Sequence, residues 1–478
     1  MGPMLTCGPE QYPPPPSSLD ELARVQATRL RCRLLYSTFE QDVTERLSRY
    51  LAQVRREAWG PPDLTANPYA QMWEQVAVSY DGEVQTIVPA GGEGMREIVD
   101  DAGLWPLMQR FERDLHGLRE MLMHVSVDAS GVVSYRPVRP DMVEVEASPS
   151  RRDEPVKLAE WILEDGRWYR HVYDVRVPSY AVYDDRGVDV TARILGALYS
   201  GDSYPYRMDD GTPVLPYVLY HARRTGYPWD PYAMGEVAEG SLNVCVLLTF
   251  YGHVVRNAAW RQRYMAGLEP LGMGVEGADA AAPPRSEVVS DPATVLLMRA
   301  AEGYQGQPIV GTFDAPMDPE ALLRSIAMYE RRILSAAGLA PADVTRQTAD
   351  IRSGYSLAVA REAIRALQVR VHPQLRRGDR ALLALTAILH NAATGSRLPE
   401  SGYDVLYAGT APSPADVAAQ RAGLREDLAV GLLSPVDAYM ELHPELSREA
   451  AVNELLRVAA ERKALAAAGI GNQEIPNA

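Results

Sequence analysis

"GEVAEGSLNVCVLLTFYGHVVRNAAW" runs from Gly235 to Trp260 and contains no proline. As one helix it would be about 37 Å long at 1.5 Å per residue. Gly240 and Gly252 weaken it, because glycine costs about 1 kcal/mol relative to alanine inside a helix. A second helix candidate, "DPEALLRSIAMYERRILSAAG" (Asp318 to Gly338), follows an insertion at residues 261–316. Asp318 is placed to cap it, Pro319 takes the first helical position, and Glu320 lies in the positive first turn. Leu322, Ile326, Tyr329 and Ile333 make one apolar stripe, and Gly338 is the expected terminator. The insertion holds a Gly/Ala/Pro stretch, "GMGVEGADAAAPPRS", and two strand-like runs, "TVLLMRA" and "QPIVGTF". Two helices that leave and return antiparallel would hold its ends together and set it at the tip of a stalk.

On the N-terminal side, apolar spacing predicts a helix from about Leu19 to Trp59, stopped by Pro61 and Pro62, and a second from about Trp105 to Met121. "GGEGMRE" at Gly91 reads as a loop. The lead-in "MGPMLTCGPEQYPPPPSS" lacks the basic region and apolar block of a signal peptide and is expected to be disordered. Between about Met123 and Tyr220 the period changes to two, with turn signals at Asp165-Gly166 and Arg186-Gly187, as antiparallel hairpins require.

On the C-terminal side lies "GLAPADVTRQTADIRSG" (Gly338 to Gly354), long for a connection without structure of its own. Leu357, Ala360, Ile364, Leu367 and Val371 then predict a helix continuing to about Asn391 with a kink at Pro373. An extended piece, "YDVLYAG", precedes an all-helical tail. Two of its helices open alike, at Ser413-Pro414-Ala415-Asp416 and Ser434-Pro435-Val436-Asp437, each offering a capping hydroxyl and an acid at the third position. A third runs from near Ser447 to about Ala468, and the end is expected to fray.

The 478 residues suffice for two or three compact units. A net charge of −15 argues against a surface that grips nucleic-acid phosphates throughout. Only two of the 48 cationic residues are lysine, Lys157 and Lys463, and neither follows a glycine-rich turn, which excludes a P-loop nucleotide engine. Cys7, Cys32 and Cys245 have the spacing of neither a disulfide framework nor a zinc site and suggest reducing cytosol. No apolar run is long enough to cross a membrane.

Catalytic signals are weak. The eight histidines form no pair at metal-ligand spacing. Ser356 stands where a helix begins and is better read as a cap than as a nucleophile. Asp141, Glu144 and Glu146 could gather a divalent metal as a hydrolase would, but alternating acids usually mark the solvent face of a strand. Arg361, Arg365, Arg370, Arg376, Arg377 and Arg380 outnumber Glu362 and Asp379 locally. That contrast reads first as a solvated face or inter-subunit salt bridges, and second as a DNA-facing surface.

Three stretches, "LPYVLYHARRTGYPWDPYAMGEVAEGSLNVCVLLTFYGHVVRNAAWRQRY" from Leu215, "SGYSLAVAREAIRA" from Ser353 and "GLLSPVDAYMELHPELSREAAVNELL" from Gly431, make the chain resemble the portal proteins of tailed bacteriophages, or head-to-tail connectors. The order of elements extends the resemblance from about residue 19 to 470. It implies an α+β, mainly helical portal-type fold with a wing at 19–234, stem helices at 235–260 and 317–338, and a small α/β clip at 261–316. It further implies a tunnel loop at 339–355, a kinked wing helix and closing strand at 356–411, and a helical crown at 412–470, between disordered ends at 1–18 and 471–478. The implied function is a non-enzymatic, cofactor-free dodecameric ring at one capsid vertex of a virion made in the host bacterial cytoplasm. Double-stranded DNA would pass through it without sequence readout, and terminase, head-completion or adaptor proteins and the major capsid or scaffold protein would be its partners. Asp343, Thr345, Arg346, Gln347, Thr348, Asp350 and Arg352 become the candidates to face DNA, their neutral hydrogen-bonding groups and cancelling charges suiting a duplex that must slide. An intracellular helical adaptor or scaffold explains the composition equally well, and a metal-dependent hydrolase on Asp141, Glu144 and Glu146 is the other alternative.

Overall fold

The computed structural model describes residues 12–16, 18–50, 61–82, 84–195, 204–230, 234–259, 262–266, 268–270, 298–300, 307, 309–313, 318–339, 362–407, 414–442 and 448–467. It is a mixed helix-and-strand protein that divides into two compact units. One is Met1–Arg346 with Ala363–Ala408; the other is Gln347–Glu362 with Gly409–Ala478.

The first unit opens with α1 (Leu19–Leu35) and α2 (Glu40–Tyr50), not one helix. Ser37 turns left-handed (φ 55°) and the Thr38 N–H reaches back to Arg33 O at 2.8 Å, which caps α1 and buries Phe39. Glycine or asparagine usually marks such a cap, so serine gave no stop signal. Tyr12–Pro16, expected to be disordered, are placed against α1. Pro13 is buried, and the Arg29 guanidinium sits 4.1 Å from the centre of the Tyr12 ring.

Next come α3 (Pro68–Val76), β1 (Val84–Ile87), α4 (Gly94–Asp101) and α5 (Leu104–Leu118). Asn67 caps α3 by accepting from the Ala70 N–H at 3.2 Å. The glycine-rich stretch read as a loop turns at Gly91 (φ 82°) and then becomes α4, held by buried Met95 and Val99 and half-buried Ile98. The helix expected to reach Met121 ends at Leu118. The Arg119 carbonyl is taken by the Ala222 N–H at 2.8 Å, so the chain joins a sheet instead.

That sheet has the order β3-β2-β8, from β2 (Glu120–Val127), β3 (Val133–Val138) and β8 (Tyr217–His221), all antiparallel. A second sheet is the meander β4 (Val143–Ala147), β5 (Pro155–Glu164), β6 (Arg167–Asp174), β7 (Ser179–Asp184), followed by α6 (Thr191–Leu195). Its β5–β6 hairpin turns on Asp165 (φ 49°) and Gly166 (φ 75°), the left-handed pair that a two-residue hairpin loop needs. The three-stranded sheet is covered on both faces. Met121, Met123, Val125 and Tyr220 join the helical core, while Leu122 and Tyr217 join Leu158, Tyr173 and Val182 of the meander. Alternation along a strand sends neighbours to opposite faces, which is why four successive residues of β2 can all be buried.

The chain continues as α7 (Gly235–Ala259), β9 (Gln262–Ala266), β10 (Leu268–Pro270), β11 (Met298–Ala300), β12 (Ile309–Phe313), α8 (Pro319–Ala336), α9 (Glu362–Thr394) and β13 (Asp404–Tyr407). β13 pairs with β1, some 320 residues earlier in sequence, and closes the unit. α9 passes through Pro373 as one helix, and its Leu375, Leu382 and Leu383 are fully buried. The second unit holds α10 (Pro414–Val430), α11 (Pro435–Leu442) and α12 (Arg448–Ala467). At the start of α11 the Ser434 hydroxyl accepts the Asp437 N–H (3.2 Å) and donates to its carboxylate (2.5 Å), as the sequence predicts. Ser413, the matching cap of α10, lies outside the described residues.

Candidate functional site: a helix pair carrying inserted strands

α7 and α8 form the pair expected from sequence. Asp318 caps α8 by accepting the Glu320 N–H at 3.0 Å, and Gly338 ends it in the left-handed conformation (φ 79°). Ile326 and Ile333 of the predicted stripe are buried, and Leu322 and Tyr329 pack against the same core. The pair is antiparallel, because Gly240 meets Ile333 whereas Asn243, further along α7, donates to the Tyr329 hydroxyl at 3.2 Å. Gly240, which weakens α7 on propensity, is what permits this approach. A Cβ there would stand 2.9 Å from Ile333 Cγ1. Around Gly252 the space is open, so no contact requires glycine at that position.

The body grips α7 along its first four turns. Arg46 of α2 bonds Asn243 Oδ1 at 2.8 Å and pairs with Glu239. Cys245 Sγ donates to Ala66 O (3.1 Å), and Thr249 Oγ1 accepts from the Asp63 N–H (2.9 Å). Burial then falls off toward Val255 and Arg256. Three residues after α7 ends, Gln262 opens β9, which pairs antiparallel with β12 from Gln262↔Phe313 to Ala266↔Ile309. β10 pairs with β11. The described residues of the insertion thus form strand pairs, and the β9–β12 pair holds its two ends side by side. β9 and β10, in "RQRYMAGLEP", are strands that sequence reasoning missed, and no helix occurs among the described residues of the insertion.

After α8 the chain re-enters the body through α9, which is locked by an interior carboxylate. Asp379 is fully buried and accepts hydrogen bonds from three tyrosines: Tyr80 (3.0 Å), Tyr220 (2.9 Å) and Tyr407 (2.7 Å). Burial pushes its pKa up to about 7, against the pull of the three hydroxyls. Next to it, Gly378 leaves room for the Tyr220 ring, whose Cε1 lies 2.2 Å from where a Cβ would be. A second buried carboxylate, Glu160, ties the two sheets together by accepting from Arg136 (2.8 Å) and Tyr217 (2.6 Å).

Three arginines of α9 are spent within the chain. Arg376 and Arg380 both clamp Asp404 of β13, holding its carboxyl well below the usual range, and Arg377 reaches Asp153 at 3.3 Å. Arg370 is exposed, and Arg361 lies outside the described residues. Asp141, Glu144 and Glu146 do not converge. Asp141 faces Arg139 (3.0 Å), Glu144 pairs with Arg170, and Glu146 pairs with Arg176 (2.7 Å). No group of three potential metal ligands occurs among the described residues, and no described helix is long and apolar enough to cross a membrane. Asp343, Thr345, Arg346, Gln347, Thr348, Asp350, Arg352 and Ser356 lie outside the described residues, between α8 and α9.

No family model matches the chain, and no curated protein does. Among solved structures it is similar to a chain of the virion of a native gene transfer agent particle, with 14% identity and a TM-score of 0.44, over 80% of this chain and 94% of that one. It is similar also to chains from the neck of the native particle, computed with C12 symmetry (14%, 0.44, 79% and 90%), and of the empty particle, computed with C6 symmetry (15%, 0.44, 79% and 90%).

Proposed function

We propose that this chain is a portal protein of a tailed-phage-like particle. It forms a dodecameric ring at one capsid vertex, passes double-stranded DNA during packaging and ejection, and docks terminase and later head-completion or adaptor proteins. The observation that carries the proposal is the antiparallel pair of α7 and α8, rooted in a helix-and-sheet body at one end and followed at the other by the paired strands β9 and β12 of the insertion. That is the stem-and-clip order implied by the sequence resemblance. The protein is a conduit and assembly hub, not an enzyme. A net charge of −15 suits a wall that must not hold the duplex at each step, since phosphate affinity grows with every cation engaged.

Native mass measurement and negative-stain imaging of the full chain test this directly. The expected result is a closed ring with an axial channel. A chain that stays monomeric or dimeric under all assembly conditions would overturn the reading. On the same reading Arg346 and Arg352 border the duplex, so replacing either alters packaging and leaves the ring intact.

A further inference from the structure

Two surfaces of opposite net charge lie on the first unit. The first gathers Arg151 and Arg152 of the β4–β5 turn, Arg223 and Arg224 beyond β8, and Arg377 of α9, all exposed. Asp153 joins two of them, taking Arg224 at 2.9 Å and Arg377 at 3.3 Å on the same oxygen, and Arg151 pairs with Glu154. Five arginines against two acids leave an excess of three positive charges. Arg152 and Arg223 have no ion pair among the described residues; Arg152 lies only over the exposed ring of Tyr227, 5.9 Å from its centre.

The second surface is the outer face of α4. Glu93, Glu97 and Asp101 stand four residues apart on one stripe, with Asp100 beside them, all exposed and none in an ion pair among the described residues. Like charges at that spacing repel, and two of the acids crowd the negative end of the helix. Arg96 is the one cation there, and its Nε is turned to Thr86 O at 3.2 Å, so the face carries an excess of three negative charges. No ion pair joins the two surfaces among the described residues.

We infer that the arginine patch of one copy docks on the acidic face of α4 in the next copy. Different surfaces that match head to tail generate a ring when the rotation closes. A second copy fits better than nucleic acid, because Asp153 and Glu154 sit among the arginines, where a phosphate backbone would be repelled. The inference rests on the ring reading above and names the contact that builds the ring.

The test uses full-length R152E/R223E and E97R/D100R, which touch no ion pair within the chain, with circular dichroism to verify folding. Each variant alone should raise the concentration for half-assembly about tenfold or more at low salt, with a weaker effect at high salt. The chain carrying all four changes, with both signs swapped, should assemble as wild type does. Rings from wild type and from both variants with unchanged midpoints would overturn the inference and leave the ring reading standing. Absence of any wild-type self-association would overturn both. Normal assembly of R152E/R223E with lost retention of a short DNA duplex would make the patch a nucleic-acid surface and overturn the contact between copies.

Discussion

Asp379 shows what one residue does for this fold. A carboxylate with no cation beside it is costly to bury, and three tyrosine hydroxyls offset only part of that cost. With its folded pKa near 7, the folded state holds a proton that the unfolded chain releases near 4. Stability therefore falls as pH rises from about 4 to 7, at a steepest slope of about 1.4 kcal/mol per pH unit. Glu120, raised to about 7 mainly by burial, adds a slope of the same sign. Urea unfolding of wild type and Asp379→Asn between pH 4.5 and 8 separates the two contributions. The variant should lose roughly half of the slope, and identical slopes would show that Asp379 does not titrate in this window. Tyr407→Phe should cost more at pH 8 than at pH 5, by about 1–2 kcal/mol, because the ionised carboxylate needs its donors most. None of this was legible in the sequence. Asp379 read only as an acid within an arginine-rich helix, and its tyrosine partners lie 299, 159 and 28 residues away.

At the scale of elements, the two glycines of α7 look alike in sequence and differ in structure. Gly252→Ala should stabilise the protein by up to about 1 kcal/mol, since its surroundings are open and only helix propensity changes. Gly240→Leu should destabilise it by about 1–3 kcal/mol, because the larger side chain must displace Ile333 and with it α8. Paired thermal melts check both, and equal shifts would mean that the helices do not pack at Gly240. The helix pair was readable because its signals are local: the Asp-Pro-Glu start, the stripe and the terminal glycine. The β5–β6 hairpin was readable for the same reason, through Asp165-Gly166. What escaped depends on distant partners or on uncommon cap residues. α4 is anchored by few apolar residues, Met95, Ile98 and Val99, α1 stops on a serine, and β9 becomes a strand because β12 returns beside it. The arginine cluster of α9 was legible as charge, but not the acids Asp404 and Asp153 that the fold brings to it. The tunnel-loop candidates stand as sequence expectations, tested by packaging of the Arg346 and Arg352 variants.

For the molecule as a whole, the portal reading makes the insertion between α7 and α8 a docking platform, and the alternative on that reading is a part of the ring wall. Its ends are paired strands, so Gln262 and Phe313 lie about 5 Å apart across the ladder, and a short Gly-Ser linker can replace residues 262–313 without straining α7 or α8. The grip on α7 by Arg46, Ala66 and Asp63 lies wholly outside the deleted region. The shortened chain should therefore fold, and on the portal reading it should still close into rings visible by negative stain. Packaging should fail, because terminase would have no platform and the duplex no aligned entry. Unchanged packaging would refute the clip assignment. A folded chain that no longer forms rings would instead make the inserted strands part of the contact between subunits.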